Sequence, residues 1–311
     1  MSRRWHILGA GSIGCLFAAK LQAIGCEVTL LFRANSDSQK ARHSPFSFQL
    51  KGQHEQYKLT MPASYADDNE TIEHLLVTTK AYDASEALAS VAHRLDANSQ
   101  VLLMVNGMGL IEELEERFPP LRFYAGTTTE GAYRQSKQAI VHAGTGITRI
   151  GRSDTLEPVD WFTDFSKLEI CCTWDDDIHG ALWQKLAVNC AINPLTALNG
   201  CVNGDLRDRE SLAEKLHILC DEIVTVADAA GRHQLAANVH TLVNGVISNT
   251  AANRSSMLQD VEAKRRTEID YISGYLIRRA KQLNVPAPEN EKLLYAILKL
   301  ESERSSDRGR E

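Results

Sequence analysis

The stretch Gly9-Ala10-Gly11-Ser12-Ile13-Gly14 constrains this chain more than any other. It directly follows a short apolar run, Trp5-His6-Ile7-Leu8, and directly precedes a helical pattern carried by Cys15, Leu16, Ala18, Ala19 and Leu21. A strand that enters a helix through so tight a turn needs backbone freedom at the first glycine. The second glycine lets a phosphate approach the backbone. The third lets the helix pack closely on the sheet, with the N–H groups of its first turn facing an anion. Taken alone, the G-x-G-x-x-G spacing is an ordinary glycine-rich turn; between a strand and a helix it reads as a dinucleotide site at the head of an α/β sheet.

Residues 26–32 form the next strand pattern, and it ends at Arg33, about 20 residues past the glycine turn, where a Rossmann unit places its ribose-reading side chain. An acidic side chain there favours a free 2′-hydroxyl. An arginine clamps a 2′-phosphate, so Arg33 points to NADP(H) over NAD(H); its other reading is a solvated strand end. Residues 74–79 give a core strand ending at Lys80, and 101–105 give another that leads into Asn106-Gly107-Met108-Gly109. Arg33, Lys80 and Asn106 thus stand at successive carboxyl ends of strands, the edge at which open α/β sheets bind ligands. Residues 46–50 and 56–59 read as a hairpin-like excursion. Residues 124–129, 139–142 and 146–151 read as adjacent strands that extend the parallel sheet by an antiparallel piece. A short helix at 161–165 and a last strand at 169–173 precede the composition break Asp175-Asp176-Asp177, where a domain boundary is expected.

Beyond Asp177 helical patterns replace strands. In the helix expected over 178–193, Lys185, Asn189 and Asn193 stand four residues apart and share a face. That stripe is either a ligand site or a hydrogen-bonded packing seam with a snorkelling lysine. Pro194 is expected to end the helix. Helices follow over 210–230 and 236–250, and two capping boxes are expected, Ser256 with Gln259 and Thr267 with Asp270. On one straight helix Ser256 and Glu268 would lie about 18 Å apart, so a break near Lys264-Arg265-Arg266 is predicted. The charged tail from Ser302 is expected to fray.

The chain has 311 residues, enough for two domains of ordinary size. A formal charge of −6 gives no general attraction to nucleic acid or an anionic membrane. No apolar run reaches transmembrane length, and the glycine turn interrupts the N-terminal apolar region too early for a signal peptide. The seven cysteines form no C-x-x-C pair and read as reduced core thiols, so neither disulfides nor a metal site are expected and a cytoplasmic location is.

Several stretches together resemble the ketopantoate reductase (2-dehydropantoate 2-reductase) family over essentially the whole chain. They are the glycine turn, Lys80, Asn106-Gly107-Met108-Gly109, Leu182-Trp183-Gln184-Lys185-Leu186-Ala187-Val188-Asn189-Cys190-Ala191-Ile192-Asn193-Pro194-Leu195-Thr196-Ala197, Ser255-Ser256-Met257-Leu258-Gln259-Asp260 and Thr267-Glu268-Ile269-Asp270. Residues 35–45 and the surroundings of Glu130 depart from the family pattern. The resemblance implies an α/β fold with an N-terminal Rossmann-type NADPH-binding domain over 1–176 and a C-terminal all-α substrate domain over 177–311. It implies a cytoplasmic oxidoreductase, monomeric or homodimeric, that reduces 2-dehydropantoate to (R)-pantoate with NADPH in pantothenate and coenzyme A biosynthesis. Residue by residue, it makes Lys185 and Glu268 catalytic. It assigns Gly9, Ala10, Gly11, Ser12, Ile13, Gly14, Arg33, Lys80, Asn106, Ala132 and Glu268 to the cofactor. It assigns Asn106, Lys185, Asn189, Asn193, Asn199, Asn203, Asn253 and Ser256 to the substrate.

The chemistry stands without the family. Hydride delivery to a ketone carbon leaves an alkoxide that needs a proton and a positive partner. An ammonium supplies both, and at the ordinary lysine pKa of about 10.4 it is protonated at neutral pH. Two other readings stay open: an NADPH-dependent reductase of another 2-oxo or 3-oxo acid, and a non-catalytic NADPH-binding regulator.

Overall fold

In a computed structural model of the chain, the described residues are 2–33, 44–52, 56–136 and 138–308. Most of the stretch 35–45 that departs from the family pattern lies outside them. The chain divides into two compact units, one of residues 1–105 and 110–178, the other of Asn106–Gly109 and His179–Glu311.

The first unit is α/β. Its strands are β1 (Arg4–Leu8), β2 (Glu27–Phe32), β3 (Phe46–Lys51), β4 (Gln56–Met61), β5 (Ala63–Tyr65), β6 (His74–Val77), β7 (Gln100–Leu103), β8 (Arg122–Thr128), β9 (Gly131–Ser136), β10 (Ala139–Gly144), β11 (Ile147–Gly151) and β12 (Cys171–Trp174). Its helices are α1 (Ser12–Ala23), α2 (Ala81–Val91), α3 (Leu110–Arg117) and α4 (Phe162–Phe165). Eight strands form one sheet in the order β12-β11-β8-β7-β6-β1-β2-β5. All its pairs are parallel except β8 with β11. Trp5, Ile7, Leu30, Leu75, Leu76, Val101 and Leu102 are buried in it, as expected of strands covered on both faces.

The strand order places the ligand edge. β1 has β2 on one side and β6 on the other, with Leu8 level with Leu31 and with Val77. Sequential connections therefore leave β1 in opposite directions, the arrangement that opens a crevice at the carboxyl ends of the strands. The glycine turn follows β1, Lys80 follows β6 and Arg33 follows β2.

Four strands form a second sheet, β4-β3-β10-β9, which the sequence did not announce. β10 leaves the position expected for it in the large sheet and pairs in parallel with β3 of the hairpin. Only β11 supplies the antiparallel extension. The reason lies in α1, whose Gly14 to Ala19 are all buried. A helix that is apolar nearly all round needs cover on two faces, and α1 touches β3, β9 and β10 as well as β1 and β2.

The second unit is helical: α5 (Ile178–Asn199), α6 (Asp205–Asp208), α7 (Glu210–Ala229), α8 (His233–Ala236), α9 (Val239–Asn249), α10 (Ser256–Glu262), α11 (Ser273–Gln282) and α12 (Pro288–Arg308). α5 runs through Pro194 instead of stopping there. Proline inside a helix costs about 3 kcal/mol. Cys190, Ala191, Ile192, Leu195 and Ala197, on both sides of it, are buried in one core, and a few fully buried aliphatic side chains outweigh that cost. α12 likewise continues to Arg308, past the point where fraying was expected.

The predicted break is present: α10 ends at Glu262, and Lys264 takes a left-handed φ of 53°. The capping boxes differ from expectation. Ser255, not Ser256, caps α10, its hydroxyl accepting from Leu258 N at 3.1 Å. Thr267 Oγ1 accepts from Ile269 N at 3.3 Å, but what it opens is a 3₁₀ turn over Ile269–Tyr271, and α11 starts only at Ser273. All seven cysteines are free thiols. Among the described residues no helix is long and apolar enough to cross a membrane.

Candidate active site

The first unit contributes the glycine turn. Gly9 has φ +111°, and a Cβ there would stand 2.7 Å from Thr79 N. A Cβ on Gly14 would stand 2.1 Å from the Gly9 carbonyl and 2.5 Å from Thr78 Oγ1. Gly14 therefore seats the helix on the turn itself, which is also closed by Gly11 N donating to Gly9 O at 2.7 Å and Thr78 Oγ1 donating to the same carbonyl at 2.7 Å. A Cβ at Gly11 would meet nothing closer than Thr78 O at 4.0 Å, so this glycine faces open space. No side chain caps α1. Its first-turn N–H groups are thus left without the usual side-chain acceptor, and the open face of Gly11 gives a phosphate access to them. These residues fit a dinucleotide.

Lys80 is the residue on which α2 begins, half-buried and in extended conformation. Arg33 is exposed, and its guanidinium lies 3.2 Å from Asp83 in the first turn of α2. Two cations thus stand at the ends of the strands flanking β1. Ala132 sits in β9 opposite His142. A third cation was not legible in the sequence: Arg134, also on β9, donates from Nη2 to the Ala10 carbonyl of the glycine turn. The only available signal was its charge, because the exposed β9 shows no apolar alternation.

In the second unit Glu268 is the hub. It is 5 % exposed and follows directly on Thr267, whose N–H donates to Glu301 Oε1 of α12 at 2.7 Å. The break before it is held by Arg265, which bonds Asp260 through both backbone and side chain. Asn106 Nδ2 donates to Glu268 Oε2 at 3.0 Å. Asn106–Gly109 can dock so closely because Gly107 has φ +87° and its missing Cβ would lie 2.3 Å from the Tyr271 carbonyl. Met108 N donates to that carbonyl at 3.0 Å.

Lys185, on α5, is electrostatically coupled to Glu268. Burial of its amine pushes the pKa down, and the Glu268 carboxylate pulls it back up; the balance is about 8, well below the ordinary value expected from the sequence. Asn189 and Asn193 follow it up the same helix, Asn193 buried and Asn189 partly so. Asn199 is exposed and donates to the Leu195 carbonyl of its own helix at 2.7 Å. It lies about 21 Å along the axis from Lys185.

Asn203 is buried. Its N–H donates to Asn253 O at 3.0 Å and its Nδ2 to Thr250 Oγ1 at 2.9 Å, while its Oδ1 is an acceptor with no partner. Asn253 and Ser256 are exposed. Thr196 Oγ1 of α5 donates to Ser255 Oγ at 2.7 Å, which fixes the start of α10 against α5. Sequence reasoning missed the contacts of Ser255 with Thr196 and of Glu301 with Thr267, since neither is local.

The chain matches the family models described as ketopantoate reductase PanE/ApbA over residues 5–155 and ketopantoate reductase PanE/ApbA C terminal over 177–301. It is 40 % identical over 246 residues to a 2-dehydropantoate 2-reductase of Shigella flexneri, covering 78 % of this chain and 79 % of the relative. Among solved structures, a PanE/ApbA family ketopantoate reductase from Ralstonia eutropha JMP134 superposes with a TM-score of 0.84 at 24 % identity, over 97 % of this chain and 99 % of that one. D-mandelate dehydrogenase with NADH and anilino(oxo)acetate gives 0.84 at 21 % identity with the same coverage; at these identities both show the fold. Sequence likeness across both units, on a Rossmann-type unit and a helical unit, shows that the chain is an oxidoreductase belonging to the ketopantoate reductase family.

Proposed function

We propose that this protein reduces 2-dehydropantoate to (R)-pantoate with NADPH, and that Lys185 is the general acid. The observation that carries the reading is a buried, cationic amine balanced by one carboxylate, Glu268, which also accepts from Asn106. NADPH, when bound along the glycine turn, supplies the hydride. Ala10, Ser12 and Ile13 would offer backbone to its pyrophosphate between Gly9, Gly11 and Gly14. Lys80, Ala132 and Arg134 flank that turn, and Arg33 would take the 2′-phosphate, exchanging Asp83 for it.

The second unit handles the proton. The Lys185 ammonium holds the C2 carbonyl oxygen and gives up its proton as that oxygen gains charge. Glu268 orients the amine and keeps it charged in a setting that otherwise favours the neutral form. Asn106, with its amide fixed on Glu268, is the residue that the family resemblance assigns to both cofactor and substrate. Asn189, Asn193, Asn203, Asn253 and Ser256 supply neutral groups for the carboxylate and hydroxyl of the substrate. Asn203 Oδ1 is a buried acceptor with no partner among the described residues, and the family resemblance assigns this residue to the substrate. The test is oxidation of NADPH with 2-dehydropantoate, run beside NADH. Rapid turnover with NADPH is expected, and no turnover with either cofactor would remove the reading.

A second reading is a reductase of a different 2-oxo acid, favoured by the shared fold of D-mandelate dehydrogenase. A panel of 2-oxo and 3-oxo acids separates the two. One neighbour, a ketopantoate reductase from Staphylococcus aureus, is described as dimeric, so a homodimer of this chain is the assembly to look for first.

A further inference from the structure

On the helical unit, away from the residues used above, two imidazoles converge on one carboxylate. His217 and Asp221 are one turn apart on α7 and so share a face. His240 is the second residue of α9. His240 Nε2 lies 2.8 Å from Asp221 Oδ1, and His217 Nε2 lies 3.6 Å from Asp221 Oδ2. The two rings are 4.8 Å apart between centroids. The three donor atoms all lie within 4.8 Å of one another.

We propose that His217, Asp221 and His240 bind one first-row divalent transition metal ion, with Zn²⁺ the best fit, which ties α7 to α9. A tetrahedral zinc holds nitrogen and carboxylate oxygen at about 2.0–2.2 Å, which sets its donors roughly 3.3 Å apart. The nitrogen–oxygen separations of 2.8 and 3.6 Å bracket that value, and the widest donor separation, within 4.8 Å, has to shorten by up to about 1.5 Å for the site to close. Two imidazoles with one carboxylate select Zn²⁺, Co²⁺ or Ni²⁺ over Mg²⁺ or Ca²⁺, which prefer oxygen. The exposure of His217 and Asp221 leaves the fourth position to water. Without a metal the same arrangement is two polar contacts, one from each imidazole to its own oxygen of Asp221, and metal titration separates the two.

The test is calorimetric titration of ZnCl₂ into the full chain at pH 7.5, with thermal unfolding read in parallel. One zinc per chain is expected, at micromolar affinity. His217→Ala and His240→Ala should each weaken it by about tenfold or more, as losing part of a metal's coordination does. Zinc should raise the Tm of the wild type and leave that of the double variant unchanged, while MgCl₂ shifts neither. His217 is exposed, so its variant should keep the wild-type Tm without metal and show that the loss is of a ligand, not of the fold. Zinc binding unchanged in both single variants would overturn the proposal and place the ion elsewhere, on the exposed Cys171 for example. Absence of binding at millimolar zinc would overturn it as well.

Discussion

The proton donor can be tested through its titration. Moving a lysine from its ordinary range to about 8 shifts the balance between ammonium and amine by about 3 kcal/mol toward the amine. At pH 7 about nine-tenths of Lys185 still carries its proton; at pH 9 about one-tenth does. Reduction needs the protonated form. kcat/KM for 2-dehydropantoate should therefore be flat below about pH 7 and fall tenfold per unit above about 8. Glu268 is the group that raises this pKa, so Glu268→Gln, which keeps an oxygen for Asn106, should move the basic limb to lower pH. Lys185→Arg should abolish the limb, because a guanidinium does not titrate in this range. Lys185→Ala should lower turnover by about 10² to 10⁴ while leaving NADPH affinity near wild type. The assay is initial-rate NADPH oxidation at subsaturating substrate between pH 6 and 10. A limb near 10.4, or one that Glu268→Gln leaves in place or moves upward, would refute the assignment.

Arg33→Asp should weaken NADPH binding at least tenfold more than NADH binding, measured by fluorescence titration; equal losses would remove Arg33 from the 2′-phosphate. Arg134→Ala should instead weaken both cofactors alike, since it lies at the turn that would hold the pyrophosphate common to them. Gly14→Ala forces a methyl to within 2.1 Å of the Gly9 carbonyl, and should both lower Tm and abolish binding of either dinucleotide. His6 is buried with no partner for either ring nitrogen among the described residues, and burial, helped by Arg94, Arg4 and His74, pushes its pKa down to about 4. An unfolded chain takes up that proton near pH 6.5, so stability is full above about 6.5 and falls by up to about 3 kcal/mol as pH drops to about 4. His6→Leu should flatten that acid limb in denaturant titrations, and an unchanged limb would show that His6 does not set it.

What the sequence disclosed was local. The glycine turn, the strands before Arg33 and Lys80, and the break after Glu262 were legible because each depends on residues within one or two turns of chain. Pro194 marks the limit of such reasoning. The local rule ends the helix, but a core assembled from α5, α7, α9 and α11 carries α5 five residues further. The second sheet escaped because β3 pairs with β10 some ninety positions away, and exposed β9 shows no alternation to betray a strand. The same limit runs through the site. Asn106 and Glu268 meet across 162 positions, so only the family resemblance, and no spacing, could join them. Lys185 shows what that costs a reading of chemistry. Its residue type announced a proton donor, but its pKa belongs to the burial of its amine and to a carboxylate placed by Arg265, Thr267 and Glu301. An exposed lysine with the same neighbours along the helix would hold its proton far past pH 8 and would give no basic limb there. The proposed activity of this helix therefore depends less on the stripe Lys185, Asn189, Asn193 than on the broken segment that brings Glu268 to it.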